Sequence, residues 1–248
     1  MRAVRGATAI HGSGAGGSAG GRPRGARPVA LLLHALPALL PVALGGQVPV
    51  HLEPHHRNVL ENGAVRVLDV LIPPGDTTLF HEHSHNSVTV LVSGARTWNQ
   101  REDGTSTEGE RGKVGAVGAN LSYAEMPATH RVANRDSVPF RILVIELMAS
   151  PGVVSAPDAD PLPGMEVVLA NRVARAWRVV LEPGEASAAR AFARAGLLVH
   201  LSGGRVAVPD GRVEEEPAGR VVWREAGARP PLRNSGEGRI ELIEIELR

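Results

Sequence analysis

Three histidines alternate with other residues in LFHEHSHNSV, residues 79–88, in a chain of 248 residues that holds ten histidines. Residues two apart in a strand face the same side, about 6.5–7 Å from each other, so His81 and His83 can aim both imidazoles at one point. A third, His130, stands forty-seven residues on, in MPATHRVAN. Neutral imidazoles on a rigid sheet suit Zn²⁺, Fe²⁺, Ni²⁺ or Cu²⁺. The chain has no cysteine. A transition-metal site must therefore use histidine, carboxylate, amide oxygen or water, and disulfide and thiolate chemistry are excluded.

These side chains need a frame, and the chain around them reads as all-β. From residue 59 onward, short apolar runs are broken by Pro-Gly, Ser-Gly and Asn, with no sustained 3.6-residue period. Strands are expected at Val65–Ile72, Thr77–His83, Val88–Val92, Ala95–Gln100, His130–Ala133 and Phe140–Leu147.

Three intervals then recur. Asn62 precedes Gly75 by thirteen residues, as Asn171 precedes Gly184. Gly75 runs nineteen to Gly94, as Gly184 runs nineteen to Gly203. Asn134 precedes Glu146 by twelve, as Asn234 precedes Glu246. Matching intervals of this kind indicate an internal duplication, with the proline- and acid-rich SAPDADPLPG, residues 155–164, as linker.

Residues 1–45 contain no acid and read differently. A Gly/Ser-rich stretch (11–21) leads into RPRGARP and then VALLLHALPALLPVAL, which ends in small residues before Gly45. Basic, apolar, then small is the order of a secretory signal peptide. The apolar stretch from Val29 to Leu44 falls short of the ~20 residues that span a bilayer, and Pro37 and Pro41 interrupt it. Export to the periplasm or medium is expected, with no stable membrane anchor after cleavage. Five of the 27 bases precede residue 28, leaving 22 against 26 acids, with no basic run to neutralise phosphates. Nucleic acid is therefore not an expected partner.

With these residues in place the chain resembles the cupin superfamily. Gly75, His81, His83 and Gly94 fall on that family's first motif, with Ser87 where its glutamate stands. His130-x-x-x-Asn134 matches the end of the second motif, although Glu125 and Pro127 replace its proline and glycine. With the duplication the resemblance is to a bicupin. It implies two tandem double-stranded β-helix barrels after the signal segment: an N-terminal barrel over 46–154 and a C-terminal, degenerate one over 165–248. It also implies a metal held by His81, His83 and His130, as Zn, Fe, Ni, Mn or Cu. Ser87, a weak neutral donor, leaves either a three-histidine site with open positions or a site completed by His85, Asn86 or Glu125. In the second copy the aligned positions are Arg190, Phe192, Gly196 and Pro230, which do not ligate metals in the usual way.

The expected function is binding of, or action on, a small polar molecule. Dioxygenation, isomerisation and hydrolysis stay open, with Glu125 or His85 as acid/base candidates should either reach the cavity. The alternatives are a non-catalytic binding module and a purely structural protein, and a homo-oligomer is open. His51, His55, His56 and the acidic run Glu214–Glu216 read as solvated surface, and Trp98, Trp177 and Trp223 as core or strand-face aromatics.

Overall fold

The computed structural model describes residues 47–149, 164–207 and 211–248. The expected leader, residues 1–45, and the expected linker apart from Gly164 lie outside the described residues. The first half contains β1 (Val48–Pro49), β2 (His56–Glu61), β3 (Val65–Ile72), β4 (His81–His83) and β5 (Ser87–Ser93). It continues with β6 (Thr97–Arg101), β7 (Ser106–Gly109), β8 (Val117–Asn120), β9 (Ala128–Asn134) and β10 (Phe140–Leu147). The second half contains β11 (Met165–Ala170), β12 (Ala174–Leu181), β13 (Arg190–Phe192), β14 (Gly196–His200) and β15 (Gly204–Ala207). It ends with β16 (Val213–Glu216), β17 (Val221–Arg224), β18 (Gly227–Arg229), β19 (Arg233–Asn234) and β20 (Ile240–Leu247). No α-helix occurs among the described residues, so no helix there is long and apolar enough to cross a membrane.

Both halves use one strand order. The sheet β2-β3-β10-β5-β8 is matched by β11-β12-β20-β14-β17. Opposite it, β1-β4-β9-β6-β7 is matched by two pieces, β13-β18 and β16-β15-β19. The break falls where β9 is replaced by β18 and β19, on either side of Pro230 and Pro231. Proline has no N–H to give a ladder, so two in succession end the pairing. The fold is thus all-β, two tandem double-stranded β-helix barrels.

The period of two decides what each strand faces. On β3, Val65 and Val67 join a core shared with the second half, while Val70 and Ile72 line the first barrel's cavity. On β5, Val88, Val90 and Val92 enter the shared core, and Ser87 and Thr89 face the cavity. On β10, Leu143 and Ile145 enter the core, and Ile142 and Val144 the cavity. The second half repeats this: Leu197, Val199, Ile243 and Ile245 meet the shared core, while Leu198 and Leu242 turn inward. Strands buried on both faces read as nearly unbroken apolar runs, as VRVLDVLI and FRILVIEL do.

The repeated intervals mark repeated turns. Gly75 and Gly184 sit at φ 78° and 79°, and the N–H groups of Asp76 and Glu185 reach back to the carbonyls of Pro73 and Glu182 at 3.1 and 2.9 Å. These are type II turns, with Pro74 and Pro183 ahead of a glycine that must adopt positive φ. Of the expected strands, Val65–Ile72 and Phe140–Leu147 match residue for residue, and Thr77–His83 contracts to His81–His83. Glu214–Glu216 is not a loop but part of β16, with Glu214 and Glu216 half-buried. Trp177 is buried, whereas Trp98 is half-buried under the guanidinium groups of Arg131 and Arg135.

Candidate metal centre

Strands β4 and β9 run antiparallel with His81 opposite His130, and His83 two residues further along β4. Pairing and pleat together bring the three imidazoles to one wall of the cavity. Their ligand atoms all lie within 4.8 Å of one another, and His83 Nε2 stands 3.2 Å from His130 Nε2. Donors about 2.0–2.1 Å from one ion, at angles between octahedral and tetrahedral, stand roughly 2.9–3.4 Å apart, so this pair already has the spacing of two ligands. His81 Nδ1 donates to the Leu79 carbonyl at 2.9 Å, which fixes its tautomer and frees Nε2.

Burial holds all three neutral, which is the ligating form. His81 is lowered to about 3, first by burial and then by the charges of His56 and His130. His83 is lowered to about 2, by burial and then by His130 and His81. His130 is lowered to about 4, by burial, His56 and Arg101. In the unfolded chain each would sit near 6.5, so between about pH 6.5 and 4 the unfolded state binds more protons and stability rises with pH. For His55 burial lowers the value, yet bonds to Glu53 and Asp76 raise it on balance, a single opposing contribution. The chelator-treated protein is expected to show a lower urea midpoint at about pH 5 than at about pH 7.5. Equal midpoints would count against neutral, buried histidines.

The Asn99 amide lies 3.0 Å from His130 Nδ1, its Nδ2 donating. That leaves the proton on His130 Nε2, directed at His83. A half-turn of the amide presents Oδ1 instead, moves the proton to Nδ1 and frees Nε2 for an ion. Replacing Asn99 by Ala is expected to weaken metal binding by roughly tenfold, and Asn99→Asp to preserve or strengthen it. Titration of both variants checks this; equal affinities would remove Asn99 from the metal's surroundings.

The cavity measures about 410 Å³. Apolar walls from Val70, Ile72, Ile142 and Val144 meet polar groups from Ser87, Thr89, Asn120 and Tyr123. Ser87 faces the cavity and is 2% exposed, paired across the sheet with Asn120. Glu125 is exposed and outside the lining. His85 is also outside it, with its Nδ1 3.7 Å from Glu146. The structure does not bring either acid/base candidate to the cavity.

One residue read as solvated surface does belong here. His56 is buried, lines the cavity, and packs on His81 at 4.6 Å between ring centroids. Its Nδ1 bonds the Glu53 carboxylate, which has no exposed side-chain surface. That carboxylate also accepts the His55 and Leu79 N–H groups at 2.7 and 3.1 Å. Burial would raise Glu53, but bonds from His56 and His55 outweigh it and hold it at about 2. The signal was EPHH, an acid three residues before a histidine at the mouth of a strand.

No protein-family model matches the chain, and no curated protein sequence does. Solved structures do. AerE from Microcystis aeruginosa superposes with TM-score 0.54 at 12% identity, over 79% of this chain and 98% of that one. YhhW from Escherichia coli gives 0.51 at 16% identity, over 75% and 83%. A cupin 2 conserved barrel domain protein from Leptotrichia buccalis gives 0.46 at 11%, over 78% and 88%. The likeness to AerE and YhhW is one of fold.

Proposed function

We propose that the first barrel binds one divalent transition metal through His81, His83 and His130 and presents it to a small polar molecule in the cavity. The observation that carries this reading is three neutral imidazoles, with ligand atoms within 4.8 Å of one another, at the wall of a cavity of about 410 Å³. Zn, Fe, Ni, Mn and Cu are the candidates, and an all-nitrogen set leans toward Zn, Ni, Cu or Fe over Mn. A metal there would supply Lewis-acid or oxygen-activating chemistry. The chain's own residues would do the rest. Leu79 and Asn99 orient imidazoles, Glu53 and His56 brace His81, and the apolar wall excludes water.

The whole chain reads as an exported bicupin, with residues 1–45 as its cleaved leader, and only the first barrel carries metal. Structurally paired positions in the second barrel are Arg190 and Arg229. Ser87 in the glutamate's place favours a second reading, a non-catalytic binding protein, because no carboxylate lines the cavity among the described residues. Elemental analysis after reconstitution with each metal should give close to one ion per chain; none with any metal would overturn the proposal. Turnover in a substrate screen separates the enzyme from the binding protein.

A further inference from the structure

The second barrel puts arginines at two of the three positions that hold histidines in the first barrel, and a phenylalanine at the third. His81 opposite His130 becomes Arg190 opposite Arg229, not Pro230 as the interval to Asn234 suggests, since the two prolines add a residue. Ser87 opposite Asn120 becomes Gly196 opposite Arg224. Phe192 stands where His83 does, with Arg190 and Arg229 over its ring. Arg190 is paired with the buried Glu244. Burial lowers Arg229, and the charge of Arg224 adds to that.

Beside this cluster lies a cavity of about 450 Å³ lined by Arg212, Arg220 and Arg224 against Glu214 and Glu216. Among the described lining residues, Arg212 lies 3.7 Å from Glu214 and Arg220 lies 3.5 Å from Glu216, and Arg224 is the third cation beside these two acids. Its backbone is in the sheet opposite Gly196, but the Arg224 side chain makes no hydrogen bond or ion pair among the described residues, and the residue is half-buried. His200 lines the same cavity, is 3% exposed, and its Nδ1 has no partner. Buried polar atoms are rarely left unpaired without a ligand or water to meet them. The other walls are apolar, from Leu198, Val206, Val222 and Leu232.

We infer that this cavity binds a small organic carboxylate, its anionic end on Arg224 and Arg220 beside His200 and its apolar body against Leu198 and Val222. Guanidinium forks match carboxylates in charge and geometry, and the apolar walls select an organic anion over an inorganic one. The site stands apart from the metal centre and does not depend on it.

The test is calorimetric titration of the full chain, in chelator, with benzoate, hexanoate, benzyl alcohol and inorganic phosphate. One carboxylate per chain should bind, the neutral alcohol should not, and phosphate should bind more weakly. Arg224→Gln should weaken the carboxylate by roughly tenfold or more, as loss of a charge-assisted pair does, while His81→Ala leaves it unchanged. Arg220→Gln, at an exposed position, provides a second reading should Arg224→Gln fail to fold by circular dichroism. Failure of both carboxylates to bind the unaltered chain, binding indifferent to the arginine changes, or tighter binding of phosphate would each overturn the inference.

Discussion

Replacing His81 by alanine should cut metal affinity by roughly a hundredfold or more, because loss of a ligand exceeds the 10- to 100-fold cost of losing an outer partner. His83→Ala and His130→Ala should do the same, since each supplies one nitrogen to the same cluster. His85→Ala should hardly move it. His85 lies outside the cavity lining, 3.7 Å from Glu146, with its side chain 37% exposed. Titration of the four variants, each confirmed folded by circular dichroism, gives the ordering. Equal losses for His85 and His83 would mean that His85 fills the missing glutamate's place and that the site has four imidazoles.

The second large effect is on the fold. Asn134→Ala should destabilise the protein by about 3 kcal/mol, because it strands one buried and two part-buried backbone groups, a lost partner costing about 1–3 kcal/mol for a buried group. Asn134 is fully buried, and its Nδ2 donates to the carbonyls of Ile72 and Val138 at 2.9 and 2.8 Å. Its Oδ1 accepts the Asp136 N–H at 3.0 Å. Asn234 does the same for Leu181, Val138's counterpart Gly238, and Gly236. Asn234→Ala should therefore cost a similar amount. Urea denaturation measures both, and a loss below about 1 kcal/mol at either site would show that water replaces the amide.

The duplication was legible because its markers do local work that only certain residues can do. Asn62 and Asn171 each accept two backbone N–H groups three residues or fewer ahead, and Gly75 and Gly184 hold positive φ. Asn134 and Asn234 bridge the ends of two strands. Such demands fix residue type and spacing together. That His81 and His83 share a face was legible for a related reason, since alternation along β4 sets it.

What was not legible depends on pairing across the chain. His56 reaches the cavity because β2 lies along β3 with His56 opposite Val70, and nothing near His56 in sequence announces that neighbour. Glu125 misses it because its segment is exposed ahead of β9. The second barrel's counterpart of His130 was displaced by one residue because two prolines split a strand, which no count of intervals detects. Glu214 and Glu216 looked like a solvated charge run, yet alternation in β16 turns them toward the second cavity.

The central claim is a metal held by three imidazoles of the first barrel, and anomalous diffraction from crystals of the reconstituted protein tests it most directly. The expected result is one strong anomalous peak per chain, within bonding distance of His81, His83 and His130 and absent from the His81→Ala crystal. A peak bonded to other residues, or no peak in crystals of protein soaked with each candidate metal, would contradict it.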